Sequence, residues 1–447
     1  MSNPERRRAI WSASVGHTLE WYDFGVYAFV ATNIAKQIFP STSEAASLLA
    51  TFAAFGVGFL SRPLGGIVLG WFGDRYGSKK ALILSFSLMG VATLMLGLVP
   101  TYEAIGWVAP AIVVLCRLLQ GLSGGGEYAA SATYLVAWAP DGRRGLFGSF
   151  QQMGSAIGAL LGSAMGLGLS AYLGPDAMME WGWRVPFIAG GLVLVVGLHL
   201  RRHAKAAPEV DVSIPNSPTT SPARANFLRA LRLFLFGGTW AVPFYLILFY
   251  MPTFIQKVLH IEQRSALLIS SIGLVVYTLL IPVAGRISDT LGRRTTIVIG
   301  GVGVAVAAML VFPAMVESPT FQVILISQLC LNVFLVMISG PAPTTIVEMF
   351  PPRRLAWMNG AYAIALAIFG GFAPTAVTWI INTTGSTTSP MYLLAAASIG
   401  CALVMFFSRE TAFTKSVLRQ PPAVSPIGVA ERSPGLDIKR DGSLQGS

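Results

Sequence analysis

The chain has 447 residues, of which 54% are hydrophobic and only 11% charged, with a mean hydropathy of +0.64 and a formal net charge of +11. Soluble domains carry roughly 25% charged residues, so this chain cannot clothe a water-facing surface, and lipid is its expected solvent. The positive charge would suggest nucleic acid in a soluble protein. Here the basic residues gather in alternate loops, which points to membrane topology instead.

Apolar runs long enough to cross a bilayer recur along the whole chain. Twelve spans are expected, near 12–35, 46–71, 80–99, 107–138, 144–172, 184–201, 230–256, 265–287, 295–315, 320–348, 356–381 and 389–408. The cluster Arg6-Arg7-Arg8 leads into the first span with no small-residue cleavage site, so no removable signal peptide is expected. Cys116, Cys330 and Cys401 sit inside apolar runs and read as small core residues, not disulfides or metal ligands.

The loops between the spans alternate in charge. One set carries Arg6 to Arg8, Arg75 with Lys79 and Lys80, Arg143 and Arg144, the basic stretch from Arg201 to Arg232, Arg293 and Arg294, and Arg353 and Arg354. The other set carries only Lys36, Lys257 and Arg264 among Lys and Arg, apart from Arg184 beside Trp181 and Trp183, which reads as a structural cap. Basic loops stay inside, so both termini are expected in the cytoplasm of a multi-pass inner-membrane protein. The segment from His203 is rich in Pro, Ser and Thr and reads as a linker. After Thr411 periodicity is lost and no heptads appear. The expected organisation is an N-terminal bundle over 1–202, a cytoplasmic linker over 203–228, a C-terminal bundle over 229–410 and a disordered tail over 411–447.

A duplication is written into the loops. Gly70-Trp-Phe-Gly-Asp74-Arg75-Tyr-Gly77-Ser-Lys79-Lys80 is echoed by Gly285-Arg286-Ile-Ser-Asp289-Thr-Leu-Gly292-Arg293-Arg294, 215 residues later. Asp141-Gly-Arg143-Arg144 is echoed by Pro351-Pro-Arg353-Arg354 at nearly the same offset. Matching offsets are the mark of a repeat. The fold expected is an all-α membrane protein of twelve transmembrane helices in two pseudo-symmetric six-helix bundles.

Charges inside the spans are the candidates for chemistry. Arg117 lies within the fourth span, where a guanidinium must be paired or face water. Gln120 lies one turn on and Glu127 near the same face, and Gly124 to Gly126 permit close helix approach. In the first span Glu20, Asp23 and Tyr27 form one polar stripe. Arg117, Gln120, Tyr27 and Asn332 are the candidate substrate-binding residues, and Glu20, Asp23 and Glu127 the candidate proton carriers. The alternative for Arg117 is a structural pair with a first-span carboxylate, and for Asp23 a helix-packing hydrogen bond. His17, one turn before Glu20, reads as interfacial. No phosphate loop, metal cluster or Ser/His/Asp arrangement stands out, so neither an enzyme nor a bound cofactor or metal is expected.

The Gly-Asp-Arg loop after the second span and Arg117-x-x-Gln120-Gly121 resemble the signatures of the major facilitator superfamily of transporters. Glu20-Trp-Tyr-Asp23-Phe-Gly25-Val-Tyr27, Arg62-Pro-Leu-Gly-Gly66, Gly121-Leu-Ser-Gly-Gly-Gly-Glu127-Tyr128 and Trp181-Gly-Trp-Arg184-Val-Pro186 are similar to its metabolite:proton symporter family. Two positions depart from the pattern: Ser78 stands where the loop usually has Arg, and Thr290 follows Asp289. The resemblance implies proton-coupled uptake of a small organic acid anion such as citrate, 2-oxoglutarate or a dicarboxylate by a monomer whose partners are substrate, protons and lipid. It also implies a gate in which Asp74, Arg75, Arg143, Arg144, Asp289 and Arg293 latch the cytoplasmic side, with Arg143/Arg144 and Arg353/Arg354 as partners of the two Asp residues. The alternatives are symport of a zwitterion such as proline or glycine betaine, and a drug/proton antiporter.

Overall fold

The computed structural model describes residues 4–76, 78–125, 127–191, 223–350 and 355–411, and all regular structure among them is helical. In lipid a backbone can satisfy its polar groups only internally, and helices do this segment by segment. The first part of the chain forms α1 (Pro4–Phe29), α2 (Ala31–Ile38), α3 (Glu44–Leu60), α4 (Arg62–Tyr76), α5 (Ser78–Leu98), α6 (Tyr102–Ile105), α7 (Val108–Gly124), α8 (Glu127–Ala137) and α9 (Arg144–Glu180). A short 3-10 turn then leads into α10, whose described part covers 185–191. The later part forms α11 (Ala223–Tyr245), α12 (Met251–Lys257), α13 (Gln263–Leu291), α14 (Arg293–Glu317), α15 (Phe321–Ser339), α16 (Ala342–Glu348), α17 (Leu355–Ala365), α18 (Ala373–Thr384) and α19 (Pro390–Phe406).

Among the described residues, seven continuous helical stretches are long and apolar enough to cross a membrane, and three shorter apolar helices accompany them. These ten match ten of the twelve expected spans. The first expected span is divided between α1 and α2, and the sixth is described only to residue 191. Of the expected linker only residues from 223 on are described, and of the tail nothing after 411.

Several spans are broken in mid-course, each where the sequence weakens the helical ladder. The fourth expected span divides into α7 and α8 at its run of three glycines, and the tenth into α15 and α16 at Gly340-Pro341. Two wide π turns, Leu246–Tyr250 and Leu366–Gly370, stand just before Pro252 and Pro374. A proline has no N–H to give the carbonyl one turn back, and a widened turn takes up the mismatch.

The long helix α9 holds the molecule together. It packs along α1 on one side and along α13 on the other. Small residues make the α1 contact possible: a Cβ on Gly158 would lie 2.3 Å from the carbonyl oxygen of Thr18. In a membrane, helices associate through this kind of close packing. Further along the chain α14 packs on α15 and α19, and α11 on α17 and α19. One apolar cluster runs through the centre from Trp21 on α1 to Trp240, Tyr245 and Phe249 beyond it.

Candidate functional site

The charges of α1 meet those of α4 and α7 in the interior. His17, Glu20, Asp23 and Tyr27 follow one another at three or four residues, so they share one face. All four are buried, as are Arg62 and Arg117. Two ion pairs result. Arg62 Nη2 lies 2.7 Å from Glu20 Oε1, and Arg117 Nη1 lies 3.7 Å from Asp23 Oδ2.

The two pairs flank one aromatic ring. The guanidinium carbon of Arg62 sits 4.8 Å from the Phe24 centroid and that of Arg117 sits 5.6 Å from the same centroid. Arg62 also covers Phe59 at 4.6 Å, and Arg117 lies 3.7 Å over the face of Tyr27. Such contacts offset part of the cost of burying a cation. They leave the guanidinium edge of Arg117 open: none of its nitrogens makes a hydrogen bond of good geometry to the protein. A buried donor whose hydrogen bonds are poorly made costs free energy, so Asp23 compensates this guanidinium chiefly by charge.

His17 is part of the Glu20 pair, not an interfacial residue. The Trp21 indole N–H donates to His17 Nε2 at 3.0 Å, and Ser155 Oγ lies 2.8 Å from the same nitrogen. Since an indole can only donate, Nε2 is the acceptor and Nδ1 carries the ring proton. Nδ1 faces Glu20 Oε2 at 3.8 Å.

The remaining expected residues fall in different places. Gln120 donates from Nε2 to Thr93 Oγ1 at 3.1 Å, and its Oε1 has no partner. The Tyr27 hydroxyl donates to the carbonyl of Thr51 at 3.0 Å. Asn332 donates to the carbonyl of Gly273 at 2.9 Å and so ties α15 to α13, a helix–helix contact. The side chains of Glu127 and Asp74 lie outside the described residues, as do Arg353 and Arg354.

Beside the charges the interior is aromatic and nearly closed. Trp21 faces Phe244 at 5.4 Å, Phe249 at 5.7 Å and Tyr245 at 6.0 Å, and Tyr128 stacks on Tyr362 at 4.0 Å. The cavity left among Trp21, Gln152, Trp240, Phe244 and Tyr362 is about 10 Å³, at most the size of one water.

At the end bearing the basic loops the seam is polar. Asp289 Oδ1 accepts from the backbone N–H of Gly145 at 2.7 Å, and Oδ2 accepts from that of Leu146 at 3.0 Å. These amides open α9, and the positive end of a helix favours a carboxylate. Arg293 pairs with Asp289 at 2.9 Å and reaches Glu348 at 3.4 Å. Glu410 accepts from the N–H groups of Arg293 and Arg294, at 2.8 and 2.9 Å. The backbones of Gly145 and Gly285 come so close that a Cβ on either would meet the other's carbonyl oxygen, at 2.4 and 2.6 Å.

This corrects the expected partners of the second loop copy. Asp289 is held by Arg293 and by the amides that follow Arg143 and Arg144, not by those two side chains. Arg143 is exposed, and Arg144 lies 4.0 Å from Glu348 instead. Arg75 is exposed over the rings of Trp71 and Tyr76.

The opposite end is also tied across the chain. Lys257 pairs with Glu44, Gln263 donates to Asn33 at 3.0 Å, and Thr32 Oγ1 donates to Gln256 at 3.3 Å. Sequence reasoning missed these pairings and missed Arg62, Glu348 and Glu410. Arg62 did carry a signal, a cation in the middle of an apolar span.

Known proteins resemble this chain over nearly all its length. The family model described as Major Facilitator Superfamily matches residues 13–276 and 257–438. The citrate-proton symporter of Klebsiella pneumoniae is 35% identical over 400 residues, covering 89% of this chain and 90% of the relative. The proline/betaine transporter of Escherichia coli K12 is 32% identical over 441 residues, covering 95% of this chain and 87% of the relative. Among solved structures, the partially occluded inward-open xylose transporter XylE from E. coli aligns with a TM-score of 0.74 over 93% of this chain and all of its own, at 19% identity. That likeness concerns the fold. From the family match and the two curated relatives together, the chain belongs to the major facilitator superfamily of membrane transporters, in its metabolite:proton symporter group.

Proposed function

We propose that this protein takes up a small organic acid anion together with protons across the inner membrane, with both termini in the cytoplasm. Two six-helix halves, 1–202 and 229–410, joined by the 203–228 linker, rock about the buried charges to expose them to each side in turn. The observation that carries the reading is the buried Arg117–Asp23 pair, in which the guanidinium lies under Tyr27 and makes no hydrogen bond of good geometry to the carboxylate 3.7 Å away. While Asp23 is ionised it neutralises Arg117. A proton on Asp23 removes that charge and leaves the guanidinium free for a substrate carboxylate, which it grips in a bidentate fork. Loss of the proton on the other side restores the pair and expels the substrate. Glu20 and Arg62 form a second pair of the same kind. Glu127 is a further proton site in this scheme, and Gln120 holds the substrate from the next turn of α7.

Asp289 and Arg293 latch the cytoplasmic side through the first turn of α9, and Asp74 with Arg75 are their counterparts in the first loop copy. The relatives' printed names, citrate-proton symporter and proline/betaine transporter, both fit a substrate bearing a carboxylate. A zwitterion is the second reading: the rings of Trp21, Trp240, Phe244 and Tyr362, closed on one another in this state, suit a quaternary ammonium once the halves part. Uptake into proteoliposomes under an inward proton gradient tests both, with citrate, 2-oxoglutarate, succinate, proline and glycine betaine offered in turn. Accumulation of a carboxylate that collapses with a protonophore supports the proposal, and accumulation of betaine alone replaces it with the second reading.

A further inference from the structure

We infer that the outer face carries a separate capture site for substrate carboxylate, formed by Lys36 and Lys257 and reached before Arg117. The inference rests on the reading of the protein as an anion importer and on the orientation assigned by loop charge. A cavity of about 370 Å³ opens at the end opposite the basic loops, and Lys36, Lys257, Glu44, Ser41 and Ser47 lie along its wall. This is the side on which the sequence is sparing with cations. Of the three basic residues its loops carry apart from Arg184, two line this one cavity. Cations on this side run against the inward bias of basic residues.

The two lysines differ in their ties. Lys257, the last residue of α12, pairs with Glu44, the first residue of α3, and so bridges distant parts of the chain across the outer seam. Glu44 is more than half exposed, and exposed pairs are weak. A substrate carboxylate at sufficient concentration therefore displaces Glu44 from Lys257. Lys36 stands exposed on α2, where its charge acts on the same Glu44 from a greater distance. Capture then does two things at once: it holds the anion and it unfastens a tie across the seam.

A continuous line leads inward from this cavity. Ser47 on its wall accepts, through its carbonyl, the Thr51 hydroxyl at 2.9 Å. The Thr51 carbonyl accepts the Tyr27 hydroxyl, and the Tyr27 ring lies on Arg117. The Tyr27 cover of the inner guanidinium is thus hydrogen-bonded to α3, the helix whose first turn lines the cavity.

The test labels Lys36 and Lys257 from outside with an amine-reactive reagent that does not cross the membrane. The full chain is used in vesicles of zwitterionic lipid, and labelled peptides are read by mass spectrometry. Citrate and 2-oxoglutarate are the probes, with glycine betaine as control. Either carboxylate is expected to slow labelling of both lysines several-fold in the wild type and equally in Arg117→Ala. Glu44→Gln, which removes the competitor, is expected to strengthen the protection. Labelling unchanged by either carboxylate overturns the inference. So does protection that disappears in Arg117→Ala, since it would then report occupancy of the inner site. Because labelling needs no turnover, failure of uptake counts against the importer reading alone.

Discussion

Glu20 on α1 and Arg62 on α4 meet at 2.7 Å in the protein interior, both less than a tenth exposed, with His17 behind the carboxylate and Phe24 and Phe59 under the guanidinium. A pair so enclosed is costly to break from one side, because the partner left behind is a buried, uncompensated charge. Arg62→Gln and Glu20→Gln should each destabilise the protein by about 3–5 kcal/mol, and the double variant Glu20→Gln/Arg62→Gln by clearly less than their sum. Thermal unfolding in detergent measures all three. Additive losses would mean that the two groups do not depend on each other.

The Asp289 carboxylate closes the seam on the basic-loop side through two backbone amides and Arg293. Asp289→Ala removes all three contacts and should favour the state open on that side. Charge-assisted hydrogen bonds are each worth about 1.5–3 kcal/mol, and a shift of about 2 kcal/mol changes the ratio of states roughly 30-fold. Distance distributions between spin labels at the exposed positions 141 and 290, which leave the Arg286–Gly142 bond in place, report it: a longer-distance population should grow in the variant. An unchanged distribution would show that other contacts keep the seam shut.

Much of this was legible from residues alone. Long apolar runs declare their spans because lipid permits few alternatives, and Arg117, Glu20 and Asp23 stood out because charge within such runs is rare. What stayed hidden was pairing between helices. Periodicity places Glu20 and Asp23 on one face but does not say that Arg62 takes the first and Arg117 the second, since that depends on how α4 and α7 cross α1. The partner of Asp289 was hidden for another reason. It is partly a backbone, the first turn of α9, and a backbone amide has no signature in the sequence. Asn332 shows why a polar residue in a span is hard to assign: its amide nitrogen serves the Gly273 carbonyl of a neighbouring helix, while its buried amide oxygen has no partner among the described residues.

Gly158 sits where α9 presses on α1, with no room for a side chain beside the Thr18 carbonyl. Gly158→Leu should force these helices apart, since overpacking alone costs about 1–3 kcal/mol. Because α1 carries both acids, the variant should lose transport as well as stability. Gly168, also on α9, has open space around it, and Gly168→Ala should leave both near the wild-type level. Melting temperature and uptake measured side by side separate these outcomes.

Proton coupling resides, in this account, in Asp23. Asp23→Asn cannot lose a proton, so Arg117 is no longer neutralised between cycles. Substrate exchange across the membrane should persist, while accumulation driven by a pH gradient should disappear. Equal loss of exchange and accumulation would assign Asp23 to binding instead.

The most direct test is uptake of labelled carboxylate by vesicles in which the pH gradient is imposed and reversed, for the wild type and for Arg117→Lys. The wild type should concentrate the anion when the outside is acidic and release it when the gradient is inverted. Arg117→Lys retains a charge but not the planar fork that grips a carboxylate, and it should bind weakly and transport at a small fraction of the wild-type rate. Wild-type transport by Arg117→Lys, or uptake indifferent to the direction of the gradient, would contradict the claim that a guanidinium released by protonation carries the substrate.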